Sequence, residues 1–475
     1  MIENITLYGA SKKLRSREIS SQYLVRRCFS HILGKNNVLK NFSVVNKNAI
    51  KESILSDKRY QQGRSLSLID GIPISIKDII NTKHMKTTAA SNILKDNISS
   101  HNATVVNKLR RNGAIIIGKT NLDEFAMGSA TNTGIWGECN NYINISKTAG
   151  GSSGGAANSI SSNMSLGSLG TDTGGSVRLP ASFCGVVGMR PTYGRVSRFG
   201  LIAFASSLDQ IGIVTKDVPS AALLLQYISG YDSKDATSSS KKTDNYILNI
   251  YKSLKEKKIG IPIEFFNNID NIVIQKTLIK LIEFLKYNKI NIRYISLASS
   301  NSVIATYYIL AISEASSNLS RFTGTLFGSK LKLTDNKINF LSLYRGIHWG
   351  MEIKRRILLG TYVLNSHYAD QYYFQAQKVR KLIHQDYIRN FELVDLIISP
   401  TSPILPFDLS KKQTNLINTY LIDIYNVGAS IVGLPAISVN IGDKNTPIGI
   451  HIIGRFFDES SIINLASILE SNYTT

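Results

Sequence analysis

The stretch AGGSSGGAANSISSNMSLGSLGTDTGGS, residues 149–176, decides the fold of this chain. It holds two Gly/Ser clusters separated by a segment too apolar and too regular for a linker. In the first, Gly150, Gly151, Ser152, Ser153, Gly154 and Gly155 spell a tight turn that displays hydroxyls, because glycine accepts the left-handed geometries such a turn needs. Thr173, Gly174, Gly175 and Ser176 repeat the device. Between them, Ala156 to Asn163 reads as a short helix and Met164 to Leu169 as a buried strand, so both serine clusters return to the same end of one layer. A lone Gly/Ser run is a flexible linker. Here the run continues into SVRLPASFCGVVGMRPTYGRVSRFG (176–200), where single glycines punctuate apolar residues as in a packed, loop-rich wall.

Upstream, DGIPISIKD (70–78) alternates apolar residues as a strand does and delivers Lys77 at its end. A lysine and serines in this order are the ingredients of a Ser/Lys hydrolase, in which an amine replaces histidine as the base. Burial of the strand predicts a Lys77 amine depressed toward neutrality, and strand alternation predicts that Asp78 faces away from the serines.

Outward from this centre, residues 3–60 read as two or three helices, with Arg15–Arg27 and Ala49–Tyr60 rich in helix formers. Helices and β-branched runs then interleave: Ala103–Arg111 before Ala114–Ile117, and Gly200–Ser206 before Ile211–Thr215. This predicts an α/β architecture around one large, mostly parallel or mixed sheet. Ser233–Asn245 reads as a polar surface loop. Another unit follows, a strand at Ile259–Pro262, a helix at Asn271–Tyr287 and a strand at Ile290–Ile295. Long helices at Ala305–Arg321, Arg345–Leu364 and His367–Arg389 predict a helical lobe, and strands return at Val394–Ile398, Ala436–Val439 and Ile448–Ile453. The expected organisation is a single discontinuous domain over 1–475: N-terminal helices to 60, a core from 65–230 and 390–475, and a helix-rich region at 246–389.

Gly113 to Thr120 reads GAIIIGKT and satisfies the pattern of a phosphate-binding loop. Context argues against it, since a helix leads into Ala114–Ile117 as a strand, and three isoleucines do not form a nest of N–H groups cheaply. Seven histidines show no metal-ligand spacing, and Cys28, Cys139 and Cys184 lack a CxxC pattern, so no metal and no disulfide framework is expected. A net charge of +22 invites a nucleic-acid reading. Lysine is plentiful alongside Ile, Asn and Ser, as a coding bias toward A and T produces, so the charge weighs more as composition than as an RNA surface. No run approaches the roughly 18 continuous apolar residues of a membrane span, and the N-terminus lacks a signal peptide's apolar region, which makes a cytoplasmic protein the expectation.

GIPISIKD, GGSSGG and GTDTGGSVRLPASFCG, in this order and spacing, resemble the amidase signature family. NLDEFAMGS (121–129), MRPTYGRVSRFGLIAFASSLDQIG (189–212), SEASSNLSRFTG (313–324), EIKRRILLGTYVL (352–364) and PIGIHIIG (447–454) extend the likeness, within it, to the glutaminase subunits of tRNA-dependent amidotransferases. The resemblance implies the amidase-signature fold, a large mixed sheet covered by helices on both faces with a helical lobe. It implies a triad of Lys77 as general base, Ser152 as proton relay with a cis peptide bond, and Ser176 as acyl-forming nucleophile, with Ser153 as a supporting hydroxyl. The backbone N–H groups of Thr173, Gly174, Gly175 and Ser176 form the implied oxyanion hole, and Tyr307, Arg356 and Asp423 the implied clamp on the α-groups of glutamine. Two partners are implied, an amidotransferase B subunit with a small C subunit. So are ATP and Mg, used by the partner rather than by this chain, and aminoacyl-tRNA, Glu-tRNA(Gln) or Asp-tRNA(Asn), as the acceptor of ammonia. A stand-alone amidase acting on small amides and an inactive RNA-binding scaffold are the alternatives. The chain departs from the family pattern at Ala149, where proline is usual, at Ala156 and at Ile213.

Overall fold

Alternating apolar residues in IPISIK build β2 (Pro73–Lys77), the strand from which the site hangs. The computed structural model describes residues 4–250, 256–267, 269–324, 327–328, 340–410 and 421–473. Ten further strands join β2 in one sheet: β1 (Phe42–Val45), β3 (Ile115–Thr120), β4 (Gly167–Asp172), β5 (Val187–Arg190), β6 (Gln210–Thr215), β7 (Lys258–Pro262), β8 (Asn291–Ile295), β9 (Leu396–Pro400), β10 (Ala436–Asn440) and β11 (Gly449–Gly454). Their order is β1-β3-β2-β4-β6-β5-β10-β11-β9-β7-β8. β2 runs parallel to β3 and β4, and β7 parallel to β8 and β9, while the other neighbours are antiparallel, so the sheet is mixed as expected. Every residue of β2, β3, β4, β6 and β11 is buried. Because successive side chains point to opposite faces, both faces of the sheet are covered.

The deciding stretch folds as a helix, Gly154–Ser161, followed by β4, and this unit returns its two clusters to one end of the sheet. Asn163, with φ +59, turns the chain between them. GAIIIGKT is a strand and no phosphate loop: it forms β3, entered from the Thr104–Arg111 helix, with all its strand residues buried.

Elsewhere the structure departs from the reading of the sequence. Gly200–Ser206 forms no helix; Leu201 bridges to Ile80, and the Asp209 carboxylate takes the N–H groups of Phe204 and Ala205 at 2.9 and 3.0 Å. A local side-chain acceptor outcompetes the helical ladder there. Arg345–Leu364 is two helices, Phe340–His348 and Met351–Val363, because the extended Gly350 gives its N–H to Glu124 Oε2 at 3.0 Å and leaves no room for a side chain. Within Arg15–Arg27 the helix also breaks, since the Ser20 hydroxyl caps a new one that begins at Ser21. β1 and β5 are additional strands. The sheet is therefore not confined to 65–230 and 390–475, as β1 comes from the N-terminal helices and β7 and β8 from the helix-rich region. Residues 251–255 and 329–339 of that region lie outside the described residues. No helix among the described residues is long and apolar enough to cross a membrane, no group of His, Cys, Asp and Glu among them could hold a metal ion, and the three cysteines are free and buried.

Candidate active site

Lys77 closes β2 with no exposed surface. Its Nζ lies 2.8 Å from Ser152 Oγ, 2.7 Å from Ser153 Oγ and 2.8 Å from Thr171 Oγ1. Burial pushes the pKa of the amine down to about 7, against the pull of Asp123, Asp172 and Asp209. Asp78 turns away as alternation predicts: its carboxylate accepts from Thr88 Oγ1 at 2.5 Å and Ser43 Oγ at 3.1 Å, and lies 3.8 Å from Lys119. A neutral amine has two N–H donors and one lone pair. Ser153 donates to the Thr171 carbonyl at 3.1 Å, so it accepts from Lys77, and the lone pair is left for the proton of Ser152 or Thr171. Gly170 makes room for this arrangement, since a Cβ there would lie 2.9 Å from Ser153 Oγ.

The peptide bond between Gly151 and Ser152 is cis. Thr131 Oγ1 donates to the Gly150 carbonyl at 2.8 Å, and the Ser153 N–H to the Ser176 carbonyl at 3.1 Å, so the two serine turns are tied directly to each other. Behind the second turn, buried Asp172 accepts from Arg178 Nη2 at 2.8 Å, Arg178 Nε at 3.0 Å and Arg190 Nη1 at 3.3 Å. Burial opposes its charge, but the two guanidinium groups hold the carboxyl well below the usual carboxylate range. Thr173 Oγ1 donates to Asp209 Oδ1 at 2.6 Å, and burial pushes Asp209 up to about 6. Ser176, at 7% exposure, is the member of the serine group that reaches solvent.

The glycines of this turn are dictated by close approach. A Cβ on Gly174 would lie 2.8 Å from the Tyr307 ring, and one on Gly175 2.5 Å from Asp423 Oδ1. Tyr307, on the Val303–Asn318 helix, and Asp423, which precedes the Ile424–Val432 helix, thus wall the nucleophile turn. Tyr307 lies within electrostatic reach of both Arg356 and Asp423. Arg356, on the Met351–Val363 helix, is 5% exposed, while its neighbour Arg355 is 32% exposed. Arg356 Nε donates to Glu352 at 2.6 Å, and its guanidinium sits 5.5 Å from the Tyr308 ring and 5.6 Å from the Phe204 ring. Asp423 Oδ2 accepts from Ser129 Oγ at 2.7 Å, whereas Oδ1 is buried without a partner. Burial pushes this carboxyl up to about 6, with the Ser129 hydrogen bond opposing. A buried carboxylate oxygen lacking a donor suits an ammonium group, and a guanidinium suits a carboxylate.

All the sequence-derived site residues therefore converge. Thr171, Ser129, Asp209 and the Asp172, Arg178, Arg190 cluster were not among them. Thr171, Asp172 and Arg178 lie inside the motif GTDTGGSVR, whose run of polar and charged residues bounding a buried strand is the available signal. Ser129 and Asp209 sit in loops, and their available signal is that they lie in the stretches NLDEFAMGS and MRPTYGRVSRFGLIAFASSLDQIG.

An amidase family model matches residues 23–463. The chain is 45% identical over 419 residues to the A subunit of glutamyl-tRNA(Gln) amidotransferase from Sulfurihydrogenibium sp., covering 88% of this chain and 86% of that one. It is 43% identical to the protein of the same name from Nitrosococcus oceani, covering 97% and 96% of the two chains. A solved structure of the corresponding A subunit from Thermotoga maritima superposes with a TM-score of 0.81 at 34% identity, covering 99% of this chain and 95% of the other. At 22% identity, 6-aminohexanoate cyclic dimer hydrolase shares the fold with a TM-score of 0.84, covering 99% of this chain and 97% of the hydrolase.

Proposed function

The chain belongs to the amidase family, and from that premise we propose that it is the glutaminase subunit of a tRNA-dependent amidotransferase. It hydrolyses glutamine and supplies the ammonia that converts Glu-tRNA(Gln) to Gln-tRNA(Gln), or Asp-tRNA(Asn) to Asn-tRNA(Asn). The observation that carries the reading is the unpartnered Asp423 Oδ1 beside Gly175, with buried Arg356 nearby: a socket for a zwitterionic amino acid at the nucleophile turn. A simple amide has no group to fill it.

Lys77, its pKa brought down to about 7 by burial, is available in part as the neutral amine, and that form accepts the Ser152 proton as Ser152 accepts that of Ser176. Ser176 Oγ then bonds to the carboxamide carbon of glutamine. The N–H groups of Thr173, Gly174, Gly175 and Ser176 stabilise the developing oxyanion. The proton returns through Ser152 to the leaving nitrogen, the C–N bond breaks, and ammonia departs. Water, deprotonated by the same relay, attacks the acyl carbon, and glutamate leaves with Ser176 restored. Activation of the tRNA-linked carboxyl, with ATP and Mg, belongs to a B-type partner subunit. A small C-type subunit completes the complex, whose place is the cytoplasm.

Ser176→Ala tests the chemistry. In the copurified complex it abolishes ammonia release from glutamine while the thermal unfolding midpoint stays put, because only a hydroxyl is removed. A folded Ser176→Ala protein with full glutaminase activity refutes the assignment. Arg356→Ala tests the substrate: the transition state with glutamine loses about 2–5 kcal/mol, as when one partner of a buried charge pair is truncated, and butyramide, which lacks the α-groups, loses far less.

A further inference from the structure

Six residues, Phe204 to Asp209, touch the nucleophile turn, Arg356 and the helix that carries Tyr307. Asp209 holds the Thr173 hydroxyl of the nucleophile turn at 2.6 Å. The Ser207 N–H donates to Glu314 Oε2 at 2.8 Å and its hydroxyl to Glu314 Oε1, and Glu314 is on the same helix as Tyr307. On that helix Asn318 also donates to the Phe204 carbonyl at 3.1 Å. The Phe204 ring lies under the Arg356 guanidinium. Arg380 grips Ser207 at Oγ (2.9 Å) and O (3.1 Å) and, through Nε, the Ile431 carbonyl at 3.2 Å on the helix that follows Asp423. From β5, Arg190 bonds the Leu208 carbonyl at 2.9 Å as well as Asp172. Such a density of side-chain bonds is more than a surface connection needs, and it links the clamp to the nucleophile turn by a second route beside the Arg178 bonds to the Asn426 carbonyl (3.0 Å) and Ser430 Oγ (2.7 Å).

We propose that the Phe204–Asp209 loop couples the α-group clamp to the oxyanion turn, with Asp209 and Glu314 as positioning residues at its two ends. The inference rests on the glutaminase reading above. Neither residue is assigned a contact with substrate. Filling the clamp fixes the helices that carry Tyr307 and Arg356; through Glu314 and Ser207 this steadies the loop, and through Asp209 the Thr173–Gly175 turn. Binding energy from the α-groups is thereby realised in the transition state rather than in uniform binding, so those groups raise kcat and not only affinity.

The experiment uses the copurified complex and compares glutamine with butyramide in Asp209→Asn, in Glu314→Gln and in the double variant. Coupling free energies are commonly worth about 5- to 150-fold, so Glu314→Gln is expected to lower kcat for glutamine about 10-fold while its KM and the butyramide kcat stay within about 2-fold. Asp209 bonds the oxyanion turn itself, so Asp209→Asn lowers kcat for both substrates and more for glutamine. The double variant is no worse on glutamine than Asp209→Asn alone, since both cut the same link. Glu314 lies on a helix surface, so its variant keeps the test open should Asp209→Asn not fold. Equal losses on both substrates in Glu314→Gln, a change confined to KM, or losses that multiply in the double variant overturn the coupling. A wild-type complex that releases no ammonia from glutamine overturns the functional reading and the coupling with it.

Discussion

Two lysines with no exposed surface stand on adjacent parallel strands, Lys77 at the end of β2 and Lys119 within β3, in a register that sets Ile76 opposite Lys119 and Lys77 opposite Thr120. Burial depresses both amines, Lys77 to about 7 and Lys119 to about 8. Their partners differ in kind. Lys119 donates to the Ile80 carbonyl at 2.5 Å and to the hydroxyls of Thr87 at 2.9 Å and Thr82 at 3.3 Å, with the Asp78 carboxylate at 3.8 Å. A carbonyl or carboxylate requires an N–H from the amine, so Lys119 spends its protons in structure and a positive charge suits it. Lys77 faces three hydroxyls, and two of them, Ser152 and Thr171, can give it a proton as well as take one. A similar desolvation thus produces an ion-pair anchor on one strand and, on the next, an amine whose partners suit the base we propose. A depressed pKa marks a site only when the partners can exchange protons.

Exchanging the amine for a guanidinium breaks the comparison most sharply. Lys77→Arg keeps a cation that cannot shed its proton at the site, and it is expected to lower glutaminase kcat by about 10²- to 10⁴-fold, the usual worth of a general base. Steady-state ammonia release measures it, and a near-normal rate with an unchanged pH profile would transfer the role to another group.

Lys119→Met is expected to move stability instead. It strands Asp78 as an unpaired buried carboxylate, at a cost of about 3–5 kcal/mol in chemical denaturation. The protein that stays folded should retain the wild-type pH profile, and a shifted acid limb in this variant would make the two lysines one functional unit.

The smallest effect is a matter of slope. In the proposed mechanism Lys77 works unprotonated, so kcat/KM is expected to rise with pH through about 7 and to be lost as pH falls below it. Asp423, pushed up to about 6, must be ionised to hold an ammonium, and its contribution disappears as pH falls through that value. With glutamine the decline below pH 6 therefore steepens as a second proton is taken up, whereas butyramide shows the Lys77 limb alone. Identical slopes for the two substrates would remove Asp423 from amino-group recognition.

The serine turns, the lysine strand and most of the sheet were legible because their signals are local. Glycine clusters, strand alternation and the helix between the two serine turns lie within short windows, and local sterics and periodicity act at that range. The readings that failed were also local, but were overruled by side-chain acceptors outside the window read, one just downstream and one far along the chain. Asp209 captures the N–H groups that a Gly200–Ser206 helix would use, and Glu124 captures Gly350 and splits the helix read across it.

By itself the sequence determined the proposed reacting groups and their order: a lysine at the end of a buried strand, and two hydroxyl-bearing turns one helix and one strand apart. Tertiary structure alone decided what those groups can do. It set Thr171 against the amine, left Asp423 Oδ1 without a partner beside Gly175, and joined Thr173 through Asp209 to the helix of Tyr307. Each depends on which side chains a folded chain brings within hydrogen-bond reach and which it denies water, and neither distance nor desolvation is a property of residues taken in order.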